Sequence, residues 1–173
     1  KIKVLNLFAY TGAATMACSY AGADVVHVDA AKGMVDWAKE NMKLSHLENN
    51  YIRFIVDDCL KFVLREQRRG NKYDAIIMDP PSFGRGPSGE VWKFEDKIVE
   101  LIEACLQILS DNPLFFQVNS YTTGFSKTVL ENVLKTTVLK KYPNGKIECD
   151  EIGLPIESSD LVLPCGIYGR WES

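Results

Sequence analysis

Four aspartates stand where apolar runs of the chain stop: Asp29 closes "ADVVHVD", Asp57 and Asp58 close "YIRFIVDD", and Asp79 closes "YDAIIMD". A carboxylate in such a place can accept hydrogen bonds from hydroxyl or amino groups, orient a nucleophile, or take its proton. Asp79 is the most constrained, because Pro80 and Pro81 follow it. The two rings fix φ and donate no hydrogen bond, so the backbone after Asp79 is rigid and its carbonyls are left to accept. Rigidity of this kind positions a target atom, and in-line alignment of reacting groups supplies much of a catalyst's acceleration. Aspartate also favours strand ends for a plainer reason, since it starts turns and caps helices. Acids at three successive strand ends favour a ligand-binding edge over that plainer reading.

The elements that would carry these residues alternate. "IKVLNLF" (2–8) is nearly all apolar, as in a strand covered on both faces, and leads into "AYTGAAT", where Thr11 can cap and Gly12 can turn. A small-residue helix closed by Gly22 follows, then the strand 23–30, a helix with apolar residues at mostly helical spacing, the strand 51–58 and a third helix. "YDAIIMDPP" is the fourth strand and "SFGRGPSGE" a glycine-rich loop; "KFEDKIVELIEACLQIL" is a helix, 113–120 a fifth strand, and "SKTVLENVLKTTVL" a fifth helix. "KIECDEIGLP" and "LVLPCGIYGRW" then come without a helix between them, which predicts an antiparallel pair. The fold class expected is α/β: a Rossmann-like, mostly parallel sheet with helices on both faces. Ligands of such sheets bind beyond the carboxyl ends of the strands, where strand order reverses.

With 173 residues, 46% hydrophobic and 25% charged, the chain fits one globular domain spanning 1–173. No apolar run approaches the roughly 20 residues of a bilayer span, so no membrane partner is expected. Five scattered cysteines form no disulfide or zinc pattern and fit a reducing cytoplasm; the two histidines lack metal-ligand spacing, so no metal is expected. A net charge of −3 does not mark a broad nucleic-acid surface. The opening "KIKVL" already reads as strand, which fits a C-terminal piece of something longer. Oligomeric state, monomer or dimer, stays open.

"NLFAYTGAAT" has one glycine where a dinucleotide fingerprint needs several, and no P-loop occurs. A nucleoside without phosphates remains. Asp29 lies 17 residues beyond Gly12, about where a carboxylate accepts both ribose hydroxyls, and Asp58 is placed to accept an adenine amino group. S-adenosylmethionine joins such a nucleoside to a sulfonium and an ammonium, which suits an acid-lined cleft.

"VLNLFAYTGAATMACSYAGADVVHVDAAKGMVDWAKEN", "FIVDDCLKFVLREQRRGNKYDAIIMDPPSFGRG" and "GEVWKF" resemble the class I S-adenosylmethionine-dependent methyltransferases, and within them the large-subunit (23S) ribosomal RNA methyltransferases. The resemblance implies a seven-stranded sheet and S-adenosyl-L-methionine as cofactor, with S-adenosyl-L-homocysteine as product. It also implies an RNA substrate, ribosomal RNA in particular, and a PUA-like domain ahead of the catalytic one. It makes Phe8, Ala9, Tyr10, Thr11 and Gly12 the loop under the methionine part, Asp29 with Ala30 the ribose contact, and Asp58 with Cys59 the adenine contact. Asp79, Pro80, Pro81 and Phe83 become the catalytic motif, with Asp79 also beside the cofactor.

The acceptor atom is less legible. Amino-group methyltransferases of DNA and many of RNA carry an aromatic directly after the second proline, and here Ser82 intervenes before Phe83. Cytosine-C5 methylation needs a thiol after the fifth strand, where this chain has Asn119-Ser120-Tyr121; Cys165 is the only late cysteine, and in an apolar strand it reads as a small hydrophobe. Direct transfer without a cysteine nucleophile is therefore expected. Phe83 is a candidate to stack a base or to pack under its loop. Arg85, Trp92, Lys93, Asn119 and Tyr121 are candidate substrate contacts, whereas Arg65, Arg68 and Arg69 read as a solvated helix face. A small-molecule or protein methyltransferase, and a non-catalytic domain binding cofactor or RNA, are the alternative readings.

Overall fold

The structure, a computed structural model, describes residues 1–86 and 88–173. Lys3–Leu7 (β1) is a five-residue strand whose two faces are both covered. Leu5 and Leu7 point into one core; Val4 enters a smaller cluster on the other side with Ala23, Val25 and Ala75. The period-2 alternation of a strand puts them there.

Asp24–Asp29 (β2) pairs parallel with β1, and Ala75–Met78 (β4) pairs parallel with it on the other side. Ile52–Val56 (β3) lies outside β2, while Phe115–Ser120 (β7) lies beyond β4. The helices between them are Ala13–Tyr20 (α1), Lys32–Leu44 (α2), Cys59–Arg69 (α3) and Phe94–Leu106 (α4). Lys127–Leu134 (α5) packs against the last two strands, Lys146–Pro155 (β8) and Val162–Glu172 (β9). Those strands run antiparallel, β9 against β7 and β8 against β9, giving the sheet order β3-β2-β1-β4-β7-β9-β8. The chain thus reverses its direction of travel across the sheet between β1 and β4.

Three expectations are corrected. The segment 82–90 is not only a loop: Phe83–Arg85 (β5) pairs antiparallel with Val91–Lys93 (β6), with Phe83 opposite Lys93, Gly84 opposite Trp92 and Arg85 opposite Val91. Three-residue strands leave too little periodicity to be seen in sequence. Thr11 does not cap α1; Gly12 does, with φ +89° and no side-chain cap. The fifth helix changes at Leu134 into a π-helical turn, Lys135–Leu139, where Thr136 and Thr137 hydroxyls donate back to backbone carbonyls of the preceding turn.

Inside the sheet, on the side facing α1, lies a buried polar chain. Asn6 Nδ2 donates to Thr15 Oγ1 at 2.9 Å, and Thr15 Oγ1 lies 2.9 Å from His27 Nδ1. Burial drives the His27 pKa down from 6.5 to about 4, with Asp29 and the Tyr10 carbonyl partly opposing it. The unfolded chain therefore takes up a proton below pH 6.5 that the folded chain refuses until about pH 4. Urea titrations are expected to show stability falling across that window, by at most about 3 kcal/mol, and His27→Phe is expected to flatten the fall.

Candidate functional site

The segment after β1 is strained and heavily tied down. Phe8 and Tyr10 adopt left-handed φ values of 52° and 50°, each costing on the order of 1 kcal/mol for a residue with a Cβ. Hydrogen bonds hold the shape. Phe8 N donates to Cys59 Sγ (3.3 Å), Ala9 N to the Val28 carbonyl (3.1 Å), Tyr10 N to Asp29 Oδ2 (2.9 Å) and Gly12 N to the Ala9 carbonyl (2.9 Å). From α2, Asn41 Nδ2 donates to the Thr11 carbonyl at 2.9 Å. At Gly12 a Cβ would lie 3.1–3.4 Å from Met16, Ala38 and His27, so the turn sits directly on the core.

The other aspartates divide their work. Asp29 Oδ1 accepts the Ala31 N–H at 2.9 Å, so its two oxygens bridge the loop after β1 and the loop after β2. A second lone pair on each oxygen stays available to a ligand. Asp58 caps α3 by accepting the Lys61 N–H at 2.9 Å, and Asp57 pairs with Arg65. For these two the plain structural reading accounts for one oxygen of Asp58 and for all of Asp57's contacts.

Asp79 is different. Its Oδ1 is buried and without a hydrogen-bond partner among the described residues. Burial raises its pKa above the ordinary aspartate value, and the side chains of Tyr121 and Asn119 partly oppose that shift. Around it the backbone is pinned one carbonyl at a time. Tyr121 Oη donates to the Asp79 carbonyl (3.3 Å), Trp92 Nε1 to the Pro81 carbonyl (2.6 Å) and Phe94 N to the Ser82 carbonyl (3.0 Å). Ser82 Oγ accepts from Thr122 Oγ1 at 3.0 Å, so the serine between proline and phenylalanine anchors the motif to the segment after β7. The Pro80 carbonyl has no such partner among the described residues.

These groups meet at a cavity of about 810 Å³ beyond the carboxyl ends of β1 and β4. Of the candidate site residues, Phe8, Tyr10, Asp29, Ala30, Asp58, Cys59, Asp79, Pro81, Arg85, Trp92 and Tyr121 line it. Ala9, Thr11 and Gly12 support the lining from below. Pro80 is buried, while Phe83, Lys93 and Asn119 are not part of the wall. The ring centroids of Trp92 and Phe8 are 5.0 Å apart, and Trp92 serves as a hinge pin between the β5–β6 hairpin and the Pro81 carbonyl. Cys59, fully buried, is held as a neutral thiol well above its ordinary pKa, chiefly by desolvation, and Cys165 stands outside the cavity.

Sequence reading missed Leu60, Lys61, Glu90, Val91 and Lys97 in the wall. Lys61 and Glu90 form an ion pair across 29 positions, fastening the hairpin to α3. Nothing in the spacing signals it. Arg65 and Arg69 are engaged in pairs with Asp57 and Glu66.

Comparison with known proteins bears on the same residues. The family described as S-adenosylmethionine-dependent methyltransferase matches residues 1–109. The ribosomal RNA large subunit methyltransferase K of Neisseria meningitidis is 29% identical over 159 residues, which are 87% of this chain and 45% of that protein. The K/L enzyme of Syntrophotalea carbinolica is 34% identical over 142 residues, 78% of this chain and 20% of that protein. A SAM-dependent methyltransferase from Agrobacterium tumefaciens superposes with a TM-score of 0.92 at 39% identity, covering 99% of this chain and 56% of that one. The crystal structure of SMU.776 complexed with SAH gives a TM-score of 0.75 at 26% identity, over 98% of this chain and 44% of that one. This chain thus spans less than half the length of these curated relatives.

The cavity fits the cofactor these descriptions name. It has carboxylate oxygens with spare lone pairs at Asp29 and Asp58, and apolar walls from Phe8, Leu60 and Trp92. The pinning by Trp92 is open to test. Trp92→Phe keeps an aromatic ring but leaves the Pro81 carbonyl without its donor, so chemical denaturation is expected to show a loss of about 1 kcal/mol.

Proposed function

The chain belongs to the S-adenosylmethionine-dependent methyltransferases, and from that premise we propose that it methylates a base of large-subunit ribosomal RNA without a cysteine nucleophile. The buried, unpartnered Asp79 oxygen at the cavity edge carries the reading. An acceptor there has a cost in the free protein that a donor group of a ligand would remove. Asp29 would hold the ribose hydroxyls, Asp58 the adenine amino group, and Phe8 and Leu60 the flat faces of the base. The bound cofactor supplies an electrophilic methyl group.

Asp79 and the Pro80 carbonyl are the two acceptors that orient a nucleophile carrying N–H. Asp79 takes up its proton, and its raised pKa suits a proton acceptor better than an ordinary surface carboxylate would. The pinned carbonyls of Asp79, Pro81 and Ser82 keep those two acceptors in fixed relation. The thiol alternative lacks support in the cavity, where Cys59 is neutral and hydrogen-bonded to the Phe8 backbone.

The relatives named above support RNA as the substrate, and the β5–β6 hairpin supports a place for it. Cross-strand partners share a face, so Phe83, Arg85, Val91 and Lys93 lie on one side and Gly84 and Trp92 on the other. All four on the first side are exposed, Phe83 at 52% and Val91 at 50%. Neither Arg85 nor Lys93 forms an ion pair among the described residues. An aromatic flanked by two free cations is suited to a stacked base and its phosphates. Phe83 in this reading meets RNA at the cavity mouth instead of shaping its interior. We place the activity in the cytoplasm, in one catalytic unit formed by residues 1–173; no helix of the described residues is long and apolar enough to cross a membrane.

Radiolabelled methyl transfer to ribosomal RNA from a deletion strain, against wild-type RNA, tests the proposal. Labelling of the deletion-strain RNA alone is expected. Equal labelling points to another substrate, and no labelling with intact cofactor binding points to a non-catalytic domain. Calorimetry is expected to show Asp29→Ala losing S-adenosylhomocysteine affinity, and Asp79→Ala keeping it while transfer falls on the order of 100-fold. In RNA-binding titrations Phe83→Ala is expected to cost about 1–3 kcal/mol while leaving cofactor affinity unchanged.

A further inference from the structure

His27 is fully buried, yet its Nε2 has no hydrogen-bond partner among the described residues. The ring stands beneath the loop after β1: a Cβ on Gly12 would lie 3.4 Å from His27 Cε1, the carbon between the two ring nitrogens. Phe54, its partner across β3, packs at 5.1 Å between ring centroids. The Tyr10 carbonyl favours the protonated ring, as an acceptor facing it does, yet no hydrogen bond to Nε2 is formed in the free chain.

The other nitrogen fixes which one carries the proton. Thr15 Oγ1 receives the Asn6 amide N–H, and among the described residues the only further contact of that oxygen is His27 Nδ1. The hydroxyl hydrogen therefore goes to Nδ1. A proton on Nδ1 would leave that hydroxyl hydrogen without an acceptor and set the Nε2 lone pair against the Tyr10 carbonyl oxygen. The neutral ring is thus the Nε2–H form, with a donor that has no partner among the described residues.

Tyr10 is held on its other side by Asp29, which accepts its N–H at 2.9 Å, and it has a left-handed φ of 50°. Reading 8–12 as the cofactor loop, we infer that His27 is a positioning residue. Its Nε2–H completes a hydrogen bond to the Tyr10 carbonyl when the cofactor settles the loop, clamping Tyr10 between His27 and Asp29. Bonds of this sort are often misaligned in a free protein and tighten in the complex. Asn6 and Thr15 act further back, by orienting the ring.

Nitrogen-15 NMR of the histidine-labelled chain tests this before any reaction is run. Without ligand, Nε2 is expected to carry the proton and Nδ1 to be bare. Saturating S-adenosylhomocysteine is expected to move the His27 Nε2–H proton resonance downfield. His27→Phe is expected to weaken S-adenosylhomocysteine binding about 2- to 12-fold, the equivalent of one hydrogen bond, and Thr15→Val to mix the tautomers. A proton on Nδ1, an unmoved resonance with ligand bound, or a folded His27→Phe chain that binds like its parent overturns the inference alone. Failure of the unmodified chain to bind S-adenosylhomocysteine overturns the cofactor-loop reading and the inference together. Should His27→Phe not fold, the resonances of the unmodified chain decide.

Discussion

β1 is hydrogen-bonded in parallel to β2 on one side and to β4 on the other, and the rest of the site depends on that arrangement. Chain order reverses across it, so the segments leaving β1 and β4 part at the carboxyl edge and leave a cavity between them. Because β1 is buried on both faces, its position is fixed by core packing and cannot drift with the loops. The strained turn at Phe8 and Tyr10 is tolerable only on such a base, where backbone, carboxylate, thiol and amide partners all converge.

The four aspartates show how environment divides one chemical group among several roles. Asp57 pairs with Arg65, Asp58 gives one oxygen to a helix N-terminus, and Asp29 joins two loops while keeping lone pairs to spare. Asp79, half-buried, is the one of the four with a buried oxygen that has no hydrogen-bond partner among the described residues. A buried acceptor in that state is a cost unless a ligand completes it, which is why it marks the candidate site more sharply than the sequence position of any aspartate. The hairpin closes the arrangement from the other side, with Trp92 on the Pro81 carbonyl and Glu90 on Lys61.

Much of this was legible beforehand. Strand and helix alternation predicted the parallel sheet because buried strands and amphipathic helices write themselves as local periodicity. The family resemblance, carried by whole motifs, agreed with the fold and with the profile over residues 1–109. Local pattern failed where elements were short or irregular: β5 looked like loop, the three residues of β6 ran from the end of that loop into a helix expected to start at Lys93, and the π-helical turn at Lys135 looked like more of the same helix. Thr11 looked like a cap because its hydroxyl type favours caps, but the left-handed Gly12 took that place.

The sequence by itself determined the α/β class, the acid-ended strands and the rigidity after Asp79, since each follows from residues close along the chain. Tertiary structure alone decided which carbonyls of the motif stay open and that Phe83 faces outward. It also decided that Lys61 meets Glu90 and that His27 Nε2 is buried without a hydrogen-bond partner among the described residues. Those outcomes join residues from 10 to 42 positions apart, and whether a polar group is satisfied depends on what packs against it in space, which no local pattern encodes.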